Sequence, residues 1–366
     1  MTGRPAAQDG SAYAAGRTAA TVRAELGLDD VIALAANESP NGPLPSVAAR
    51  LAEVIGEVHR YPEVRSATLL DELARFHGIE PERIVVGAGS AALIWQLAHS
   101  RLGPDSEVIA PAPSFEGYPV VARLLDAGYV PVPLIDHRVD VDGLVAAITD
   151  QTSVVFVAEP NNPTGTAIGR VGLERLIEAT ADRCLLVIDE AYVEFNDHPD
   201  AVDAITIAGA HPHVLVLRTF SKAHGLAGLR VGYAVGSPQV CASLGRVAPP
   251  FSVNAVAQYA AITSLRAEAE LKDHVAVICD ERHRVAETLA ARGFRIPDSR
   301  TNFVFVEHDA PELLARELEQ RGVITRPIAG HGLRITIGTT DQNDRAVAAL
   351  IEAVGPLPSH HDPARQ

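Results

Sequence analysis

Cysteine is scarce in this sequence of 366 residues, where only Cys184, Cys241 and Cys279 are present. No two of them stand at the C-x-x-C spacing of a zinc or redox motif, so we expect free buried thiols in a reducing compartment. Long apolar runs are missing too, because no stretch reaches the ~18 residues that span a bilayer. Residues 1–17 lack the basic start and apolar core of a signal peptide. We therefore expect a cytoplasmic protein without a membrane segment.

Positive charge is also in short supply. Lys and Arg number 31 against 46 Asp and Glu, which gives a formal net charge of −15. An acidic chain repels polyanions, which argues against nucleic acid and against anionic membranes as partners. The charge does not exclude an anionic small molecule, because one arginine can dominate the potential of a pocket. We expect a small-molecule substrate and no metal ion.

Helices and strands alternate through most of the chain, whose length suits a large α/β domain plus a smaller domain. Strands are predicted at 83–86, 107–110, 153–158, 184–188, 214–217, 303–306 and 333–337. Helices are predicted at 46–58, 66–77, 91–102 and 118–126, with a long helical stretch at 258–292. The continuous β-branched runs between helices predict a mostly parallel sheet covered on both faces.

This pattern divides the chain into four parts. Residues 1–45 are expected to be an irregular arm that joins the small domain, with one short apolar stretch at 31–35. Residues 46–250 form the predicted large domain, and residues 251–356 form a smaller α+β domain. Residues 357–366, rich in Pro and His, are expected to be disordered.

Glycines and polar residues cluster where the predicted strands end, which is where open α/β sheets bind ligands. The first strand is followed by Gly87-Ala88-Gly89-Ser90, a turn into a helix whose N–H groups suit an anion. Its G-x-G-x-x-A spacing, completed by Ala92, also fits a dinucleotide site. However, the next strand ends in Ala110-Pro111-Ala112-Pro113 and supplies no acidic residue for a ribose. A nicotinamide-dependent dehydrogenase would also leave the other strand ends unexplained.

Two of those strand ends carry an acid and a lysine. Asp189 directly follows a buried strand, where it is either a helix N-cap or the partner of a buried cation such as a protonated pyridine nitrogen. Lys222 follows another buried strand, and Thr219, Ser221 and Arg230 are suited to hold a phosphate beside it. A lysine next to a phosphate site and opposite a carboxylate suits a Schiff base to pyridoxal phosphate.

At this point the chain resembles the fold type I aminotransferases of the histidinol-phosphate and aromatic amino acid group. The segments that carry the resemblance are PNNPTG at 160–165, DEAYVEF at 189–195 and RTFSKAHGLAGLRVGY at 218–233, with NESPNGPLP at 37–45, RYP at 60–62 and LRITIGT at 333–339. It extends from about residue 13 to about residue 353. The resemblance implies the fold type I architecture, with a large domain built on a mostly parallel sheet of the seven-stranded type plus a smaller α+β domain. It also implies pyridoxal 5'-phosphate as the cofactor.

The resemblance implies a role for each matching residue. Lys222 would bind the cofactor as a Schiff base and shuttle the substrate proton, while Asp189 would pair with the ring nitrogen. Asn162 and Tyr192 would hydrogen-bond the phenolic oxygen of the ring, and Phe115 would stack on its face. The cofactor phosphate would be held by Gly89, Ser90, Ala91, Thr219, Ser221 and Arg230.

The substrate and the partner subunit are expected to contact further residues. Arg334 would clamp the substrate α-carboxylate, and Asn37 would lie near that carboxylate. Tyr13 and Arg326 match positions that bind substrate phosphate in the histidinol-phosphate group, but the aromatic group retains similar residues. Tyr61 would reach the phosphate of the neighbouring subunit, which makes the active unit a homodimer.

The identity of the substrate depends on finer features. Histidinol-phosphate enzymes usually carry an acidic pair after the serine of the glycine loop, whereas this chain has Ala91-Ala92. The segments GSAAL, SFEGYP and APPFSVNAVAQ look more like the aromatic amino acid (phenylalanine) aminotransferases of actinobacteria. The resemblance therefore favours transamination of an aromatic L-amino acid with 2-oxoglutarate, giving the aryl-pyruvate and L-glutamate. Histidinol phosphate, or a related amine or amino acid, is the alternative.

Two residues depart from the family pattern. Glu159 stands where a neutral residue is more common, and it is either a selector for a cationic or hydroxyl-bearing substrate or a solvated neighbour, which we favour. His224 takes a place usually held by an aromatic residue and is expected to pack behind the site. A non-catalytic protein with this fold is disfavoured because Lys222 and Asp189 are both present. Another reaction on the same cofactor, decarboxylation or β-elimination, is disfavoured by Arg334.

Overall fold

The structure, a computed structural model, describes residues 16–355. Its strands are β1 (Ile32–Ala33), β2 (Ile84–Gly87), β3 (Glu107–Ala112), β4 (Gly128–Pro133), β5 (Thr152–Ala158), β6 (Leu185–Asp189), β7 (Val214–Thr219), β8 (Gly232–Val235), β9 (Phe303–Glu307), β10 (Val323–Ile324), β11 (Arg326–Ile328) and β12 (Gly332–Thr336). Its helices are α1 (Ala19–Leu26), α2 (Pro45–Val54), α3 (Ala67–His77), α4 (Ser90–Arg101), α5 (Gly117–Leu124), α6 (Val141–Ala147), α7 (Gly169–Thr180), α8 (Ala204–Ala210), α9 (Pro238–Val247), α10 (Ala255–Arg266), α11 (Glu268–Ala290), α12 (Pro311–Gln320) and α13 (Thr340–Val354). Every strand and helix predicted from the sequence is present, with ends displaced by a few residues.

A seven-stranded sheet in the order β2-β8-β7-β6-β5-β3-β4 forms the centre of the molecule. All neighbouring strands are parallel except around β8, which runs antiparallel to both β2 and β7. Strands β5, β6 and β7 are buried almost throughout, because helices cover both faces of the sheet. This explains their continuous apolar runs and confirms the predicted α/β class.

Two strands of this sheet were not predicted. Strand β4 carries Pro131 and Pro133, and it lies at the edge of the sheet, where a missing N–H donor is tolerated. Strand β8 has only four residues and follows the Lys222 motif directly. Neither segment has the long β-branched run on which the other strand predictions rested.

A second layer is formed by the three-stranded antiparallel sheet β11-β12-β9 with helices α11, α12 and α13 around it. The arm preceding the large sheet joins this layer, because β1 pairs in parallel with β10. The arm is not irregular as expected: α1 begins after Thr18, whose hydroxyl accepts the N–H of Thr21, and it ends at Gly27 in the left-handed region.

The predicted helical stretch 258–292 is divided into two helices at Ala267. Helix α10, the first of them, packs against α2 and α3 and contributes to the core beside the large sheet, although it lies beyond residue 250. The domain limits given above remain a prediction. Cys184 and Cys241 are buried, Cys279 is partly buried, and all three are free thiols. Within residues 16–355, no helix has the length and apolar character needed to cross a membrane.

Candidate active site

A cavity of about 770 Å³ opens where the strands of the large sheet end, between this sheet, the arm and the β11–β12 hairpin. Its lining includes most of the residues singled out in the sequence. They are Ser90, Ala91, Phe115, Asn162, Asp189, Tyr192, Thr219, Ser221, Lys222, Arg230, Arg326, Arg334 and Asn37. Gly89 adjoins the cavity through Arg230. The fold thus brings together side chains that are separated by up to about 300 positions in the sequence.

An anion-binding corner is formed by the start of α4 and the loop after β7. Helix α4 begins at Ser90 without a capping side chain, so its first N–H groups and its dipole face the cavity. Ser221 Oγ accepts from Thr219 Oγ1 at 3.0 Å and from Arg230 Nη1 at 3.1 Å. Gly89 is required at the turn, since its φ is +87° and a Cβ would lie 2.3 Å from Arg230 Nη2. These groups together suit a phosphate.

Asp189 is buried at the end of β6 with only one of its two carboxylate oxygens satisfied. Its Oδ2 accepts from the Tyr118 hydroxyl at 3.0 Å, whereas Oδ1 has no hydrogen-bond partner among the residues from 16 to 355. Burial raises the pKa of Asp189 to about 6, although the Tyr118 hydroxyl, the backbone N–H of Ala191 and the charge of Lys222 act in the opposite direction. A buried oxygen of this kind calls for a donor from a ligand, and a protonated ring nitrogen is such a donor.

Lys222 follows β7 and faces the same cavity. Its Nζ donates to the Ala36 carbonyl at 3.0 Å and lies 5.9 Å from the centre of the Tyr192 ring. Removal from bulk water lowers the pKa of Lys222 to about 7, and the positive charges of Arg334 and Arg230 add to this effect. A large fraction of this amine is therefore neutral near pH 7, the form needed by a nucleophile or a general base.

A polar network connects the cavity to the arm and the small sheet. Asn37 Nδ2 donates to the Tyr192 hydroxyl at 2.9 Å, and Asn37 Oδ1 accepts from Thr336 at 3.0 Å. Asn37 therefore connects Tyr192, which follows β6, to strand β12. Tyr192 itself lines the cavity.

Two arginines stand opposite each other in the β11–β12 hairpin, where Arg326 and Arg334 are register partners. Like charges directly across a strand pair repel each other, so each needs its own acceptors. Arg334 donates to Asn162 Oδ1 at 2.5 Å and to the Ala35 carbonyl at 2.6 Å. Arg326 donates to both oxygens of Glu116 at 2.7 and 2.8 Å. Because Arg334 binds the Oδ1 oxygen of Asn162, the Nδ2 group of the same side chain is the end that would donate the predicted hydrogen bond to the ring oxygen.

Aromatic side chains form the remaining wall. Phe115 lines the cavity and contacts Tyr118 edge to face with ring centres 5.4 Å apart, while Tyr118 stacks on Phe156 at 4.5 Å. Trp95 is also in the lining. Tyr118, the partner of Asp189, was not predicted from the sequence; the available signal was its place three residues after Phe115, at the start of α5.

Tyr61, a predicted cofactor-binding residue, is not in the lining of the cavity of this chain. Tyr61 is 85% exposed and lies against Phe251 with ring centres 4.9 Å apart. Tyr13 lies outside the residues that the structure describes.

The favoured interpretation of Glu159 as a solvated residue is wrong. Its side chain is buried, and its carboxylate accepts the backbone N–H of Ile168 at 2.8 Å and that of Gly169 at 3.5 Å. Burial raises its pKa to about 7. Glu159 thus stabilises the loop that contains PNNPTG, because its carboxylate binds backbone N–H groups at the far end of that loop. His224 is also buried behind the site, as expected, with Nδ1 2.7 Å from Ser264 Oγ and its ring against Phe220.

No group of three or more His, Cys, Asp or Glu side chains in the described range 16–355 is arranged to hold a metal ion. The cavity offers instead a phosphate corner, a buried carboxylate, an amine and two arginines. This set suits an organic, phosphorylated cofactor and a substrate that carries a carboxylate.

Known proteins similar to this chain cover nearly all of the described structure. The family described as "Aminotransferase class I and II" matches residues 29–350. An aromatic amino acid aminotransferase of Thermobifida fusca is 43% identical over 312 residues, which are 85% of this chain and 87% of that protein. An enzyme with the same description from Mycobacteroides abscessus is 44% identical, over 86% of this chain and 90% of its own length. The crystal structure of histidinol-phosphate aminotransferase from Sinorhizobium meliloti in complex with pyridoxal-5'-phosphate is 28% identical, with a TM-score of 0.86, and covers 92% of this chain and 95% of that one.

Proposed function

Because the chain belongs to the class I and II aminotransferase family, we propose that it transfers the amino group of an aromatic L-amino acid to 2-oxoglutarate, with pyridoxal 5'-phosphate as cofactor. Sequence identity supports the aromatic substrate, since relatives of 40–44% identity are described as aromatic amino acid aminotransferases. The structural observation that carries the proposal is the unsatisfied Oδ1 of buried Asp189, which lies in the same cavity as Lys222 and the phosphate corner.

The residues of the cavity fit this cofactor group by group. We assign the phosphate to the corner formed by Ser90, Ala91, Thr219, Ser221 and Arg230, beside the turn at Gly89. Asp189 is the acceptor for the ring nitrogen, Asn162 and Tyr192 donate to the ring oxygen, and Phe115 covers one ring face. The assignment to Asp189 uses the Oδ1 oxygen that has no hydrogen-bond partner in the described residues.

Bound pyridoxal phosphate supplies an electron sink that stabilises negative charge at the substrate Cα. The carboxylate of Asp189 keeps the ring nitrogen protonated through a close opposite charge. Arg334 holds the substrate α-carboxylate with its planar fork, and Asn37 lies beside that position. Lys222 would take the proton from the substrate Cα and hold it on Nζ, and its position inside the cavity would make this transfer intramolecular.

We also propose that the active unit is a homodimer in which Tyr61 contacts the phosphate of the partner subunit. Aminotransferases of this family act on small amino and oxo acids and are typically dimers. Tyr61 is 85% exposed and is surrounded in sequence by Ile55, Val58 and Val64, each at least 56% exposed. Such a patch of apolar side chains marks an association surface.

Histidinol phosphate is the second candidate substrate. Arg326 and Arg334 both line the cavity, and an arginine side chain suits a phosphate, but the bonds of Arg326 to Glu116 count against this substrate. Tyr13, which matches a position that binds substrate phosphate in the histidinol-phosphate group, bears on the same choice of substrate, but it lies outside the described residues.

The visible spectrum of the purified protein tests the function. We expect a yellow protein that L-phenylalanine bleaches faster than L-histidinol phosphate does, and the reverse preference would make histidinol phosphate the substrate. A protein that is yellow but unmoved by either compound would require a wider panel of amines. A protein that stays colourless after addition of pyridoxal phosphate would contradict the proposal as a whole.

A further inference from the structure

Two arginines in the lining of the cleft, Arg17 before α1 and Arg326 in β11, are both paired with carboxylates. Arg326 donates to both oxygens of Glu116, and Arg17 is paired with Glu25 and Glu319. All of Arg17, Arg326 and Glu116 line the cavity. The charges of these two arginines are therefore balanced, in contrast to the phosphate corner.

The position of Glu116 in the chain places its carboxylate beside Arg326. Glu116 directly follows Phe115 and is the N-cap residue of α5, where the positive end of the helix dipole favours a negative charge. Its partner Arg326 is the cross-strand neighbour of Arg334. Arg326 and Arg334 both line the cavity, so a substrate whose α-carboxylate is bound by Arg334 and whose side chain extends along the hairpin would meet the Arg326–Glu116 pair.

A distal phosphate or carboxylate on the substrate would bind less favourably beside this pair. The anion would have to displace Glu116 from Arg326 or remain close to a like charge, which weakens its binding. An uncharged aromatic ring meets no such repulsion, and it can pack against Phe115 and Trp95, which line the same cavity.

We propose that Glu116 is a specificity-determining residue, which holds Arg326 and thereby favours substrates with uncharged aromatic side chains over those with an anionic end. This inference rests on the function proposed above. The same reasoning applies to the acceptor substrate, because the second carboxylate of 2-oxoglutarate must compete with the Glu116 carboxylate for Arg326.

Two unreactive ligands separate the effect of charge from that of catalysis. Hydrocinnamate and glutarate are phenylalanine and glutamate without their amino groups, so they share one carboxylate and differ in the distal group. Their dissociation constants are to be measured by calorimetry on the cofactor-loaded protein, for the wild type and for Glu116→Gln. We expect Glu116→Gln to raise the affinity for glutarate relative to hydrocinnamate by about tenfold. Because Glu116 is 44% exposed, the substitution is compatible with folding.

The matched control is Glu53→Gln, which removes the carboxylate of an exposed Arg50–Glu53 pair distant from the cavity lining. This variant is expected to keep the wild-type ratio. The double variant Glu116→Gln with Arg326→Gln is expected to lose the gain in glutarate affinity, since the gain depends on a released Arg326. The proposal would be overturned if the ratio of the glutarate and hydrocinnamate affinities in Glu116→Gln stayed within twofold of the wild-type ratio. It would also be overturned if the gain in glutarate affinity persisted in the double variant.

The same series also separates this proposal from the proposed function. Conversion of L-phenylalanine by the wild-type enzyme is measured in parallel. If the wild type does not convert phenylalanine, the aromatic function fails, whatever the ligand ratio. If it does and the ratio does not move in Glu116→Gln, only the role of Glu116 is refuted.

Discussion

Glu159 and Asp189 are backbone neighbours at the ends of β5 and β6, and both carry buried carboxylates that have different surroundings. The Glu159 N–H donates to the Asp189 carbonyl at 3.0 Å, so the two residues are adjacent across the sheet. Glu159 accepts from backbone N–H groups of its own loop, whereas Asp189 keeps one oxygen without a partner in the described chain. Glu159 is thus a structural acceptor, and Asp189 is available to a ligand.

Replacing Asp189 tests that difference. We expect Asp189→Ala to reduce turnover by roughly a thousandfold, because an unprotonated ring is a poor electron sink. Steady-state rates and the absorbance of the bound cofactor provide the measurements. Asp189→Asn, which keeps the volume but removes the charge, is the companion variant. If Asp189→Ala retained more than a tenth of the wild-type rate, the role given to this carboxylate would be wrong.

Glu159 should make stability depend on pH. Its ordinary pKa is 4.5 and burial raises it to about 7, so between these values the folded state binds more protons than the unfolded state. Stability therefore falls as the pH rises through this window, by at most about 3 kcal/mol. Glu159→Gln cannot ionise, and its free energy of unfolding relative to the wild type should increase from pH 4.5 to pH 7. Urea unfolding at both ends of the window measures this; parallel pH profiles would contradict it.

The sequence shows which residues are candidates for the site, but it does not show which contacts each side chain makes. Lys222, Asp189 and Arg230 stand out because each polar group follows a buried strand. The same rule selects Glu159, and nothing local distinguishes it from Asp189, since its two donors are nine and ten residues further along the chain. The Glu116–Arg326 pair spans 210 positions and is visible only after folding.

The β7–β8 connection is the element that concentrates the cofactor residues. Thr219 and Gly232 are register partners, so the loop between them leaves and re-enters the sheet at one point. This loop contains Ser221, Lys222 and Arg230. Sequence reasoning found these residues through their motif but missed that β8 runs antiparallel, because four residues carry too weak a periodic signal.

The turn from β2 into α4 offers a test at the scale of an element. We expect Gly89→Ala to weaken binding of pyridoxal phosphate by about tenfold or more, because φ +87° strains an alanine and the new Cβ displaces Arg230. The dissociation constant is measured by titrating the cofactor-free protein. Gly245→Ala is the control, since its Cβ enters open space. Equal dissociation constants for Gly89→Ala and the wild type would show that the turn tolerates a side chain.

At the scale of the whole molecule, the proposed dimer predicts complementation between two impaired subunits. Lys222→Ala lacks the catalytic amine, and Tyr61→Ala lacks the residue proposed to act in the partner site. A mixed dimer contains one site with Lys222 and an intact Tyr61 from the other chain. We expect this site to restore about half of the wild-type activity per dimer at limiting cofactor.

Activity of the mixed dimer is compared with each parent homodimer under the same conditions. If Tyr61 served the site of its own chain, the mixed dimer would rise no higher than the Tyr61→Ala parent. That outcome would place Tyr61 outside the partner site.

The fold class was accessible from sequence at this scale because the alternation of elements and the motif order both extend through the chain. The pairing of β1 with β10 was not, since two-residue strands follow no pattern of their own. Long-range pairing of this kind is decided by the packing of the arm on the small sheet.

The register of β11 and β12 has one more consequence. Arg334 and Arg326 belong to a hydrogen-bonded ladder, so the spacing between their backbones is fixed by the ladder and not by flexible loops. If Arg334 and Arg326 bind the substrate as proposed, the hairpin would set the distance between the site of the α-carboxylate and the site of the distal side-chain group. Substitutions at the tip of the hairpin would then change which substrates are accepted without changing the chemistry at the large sheet.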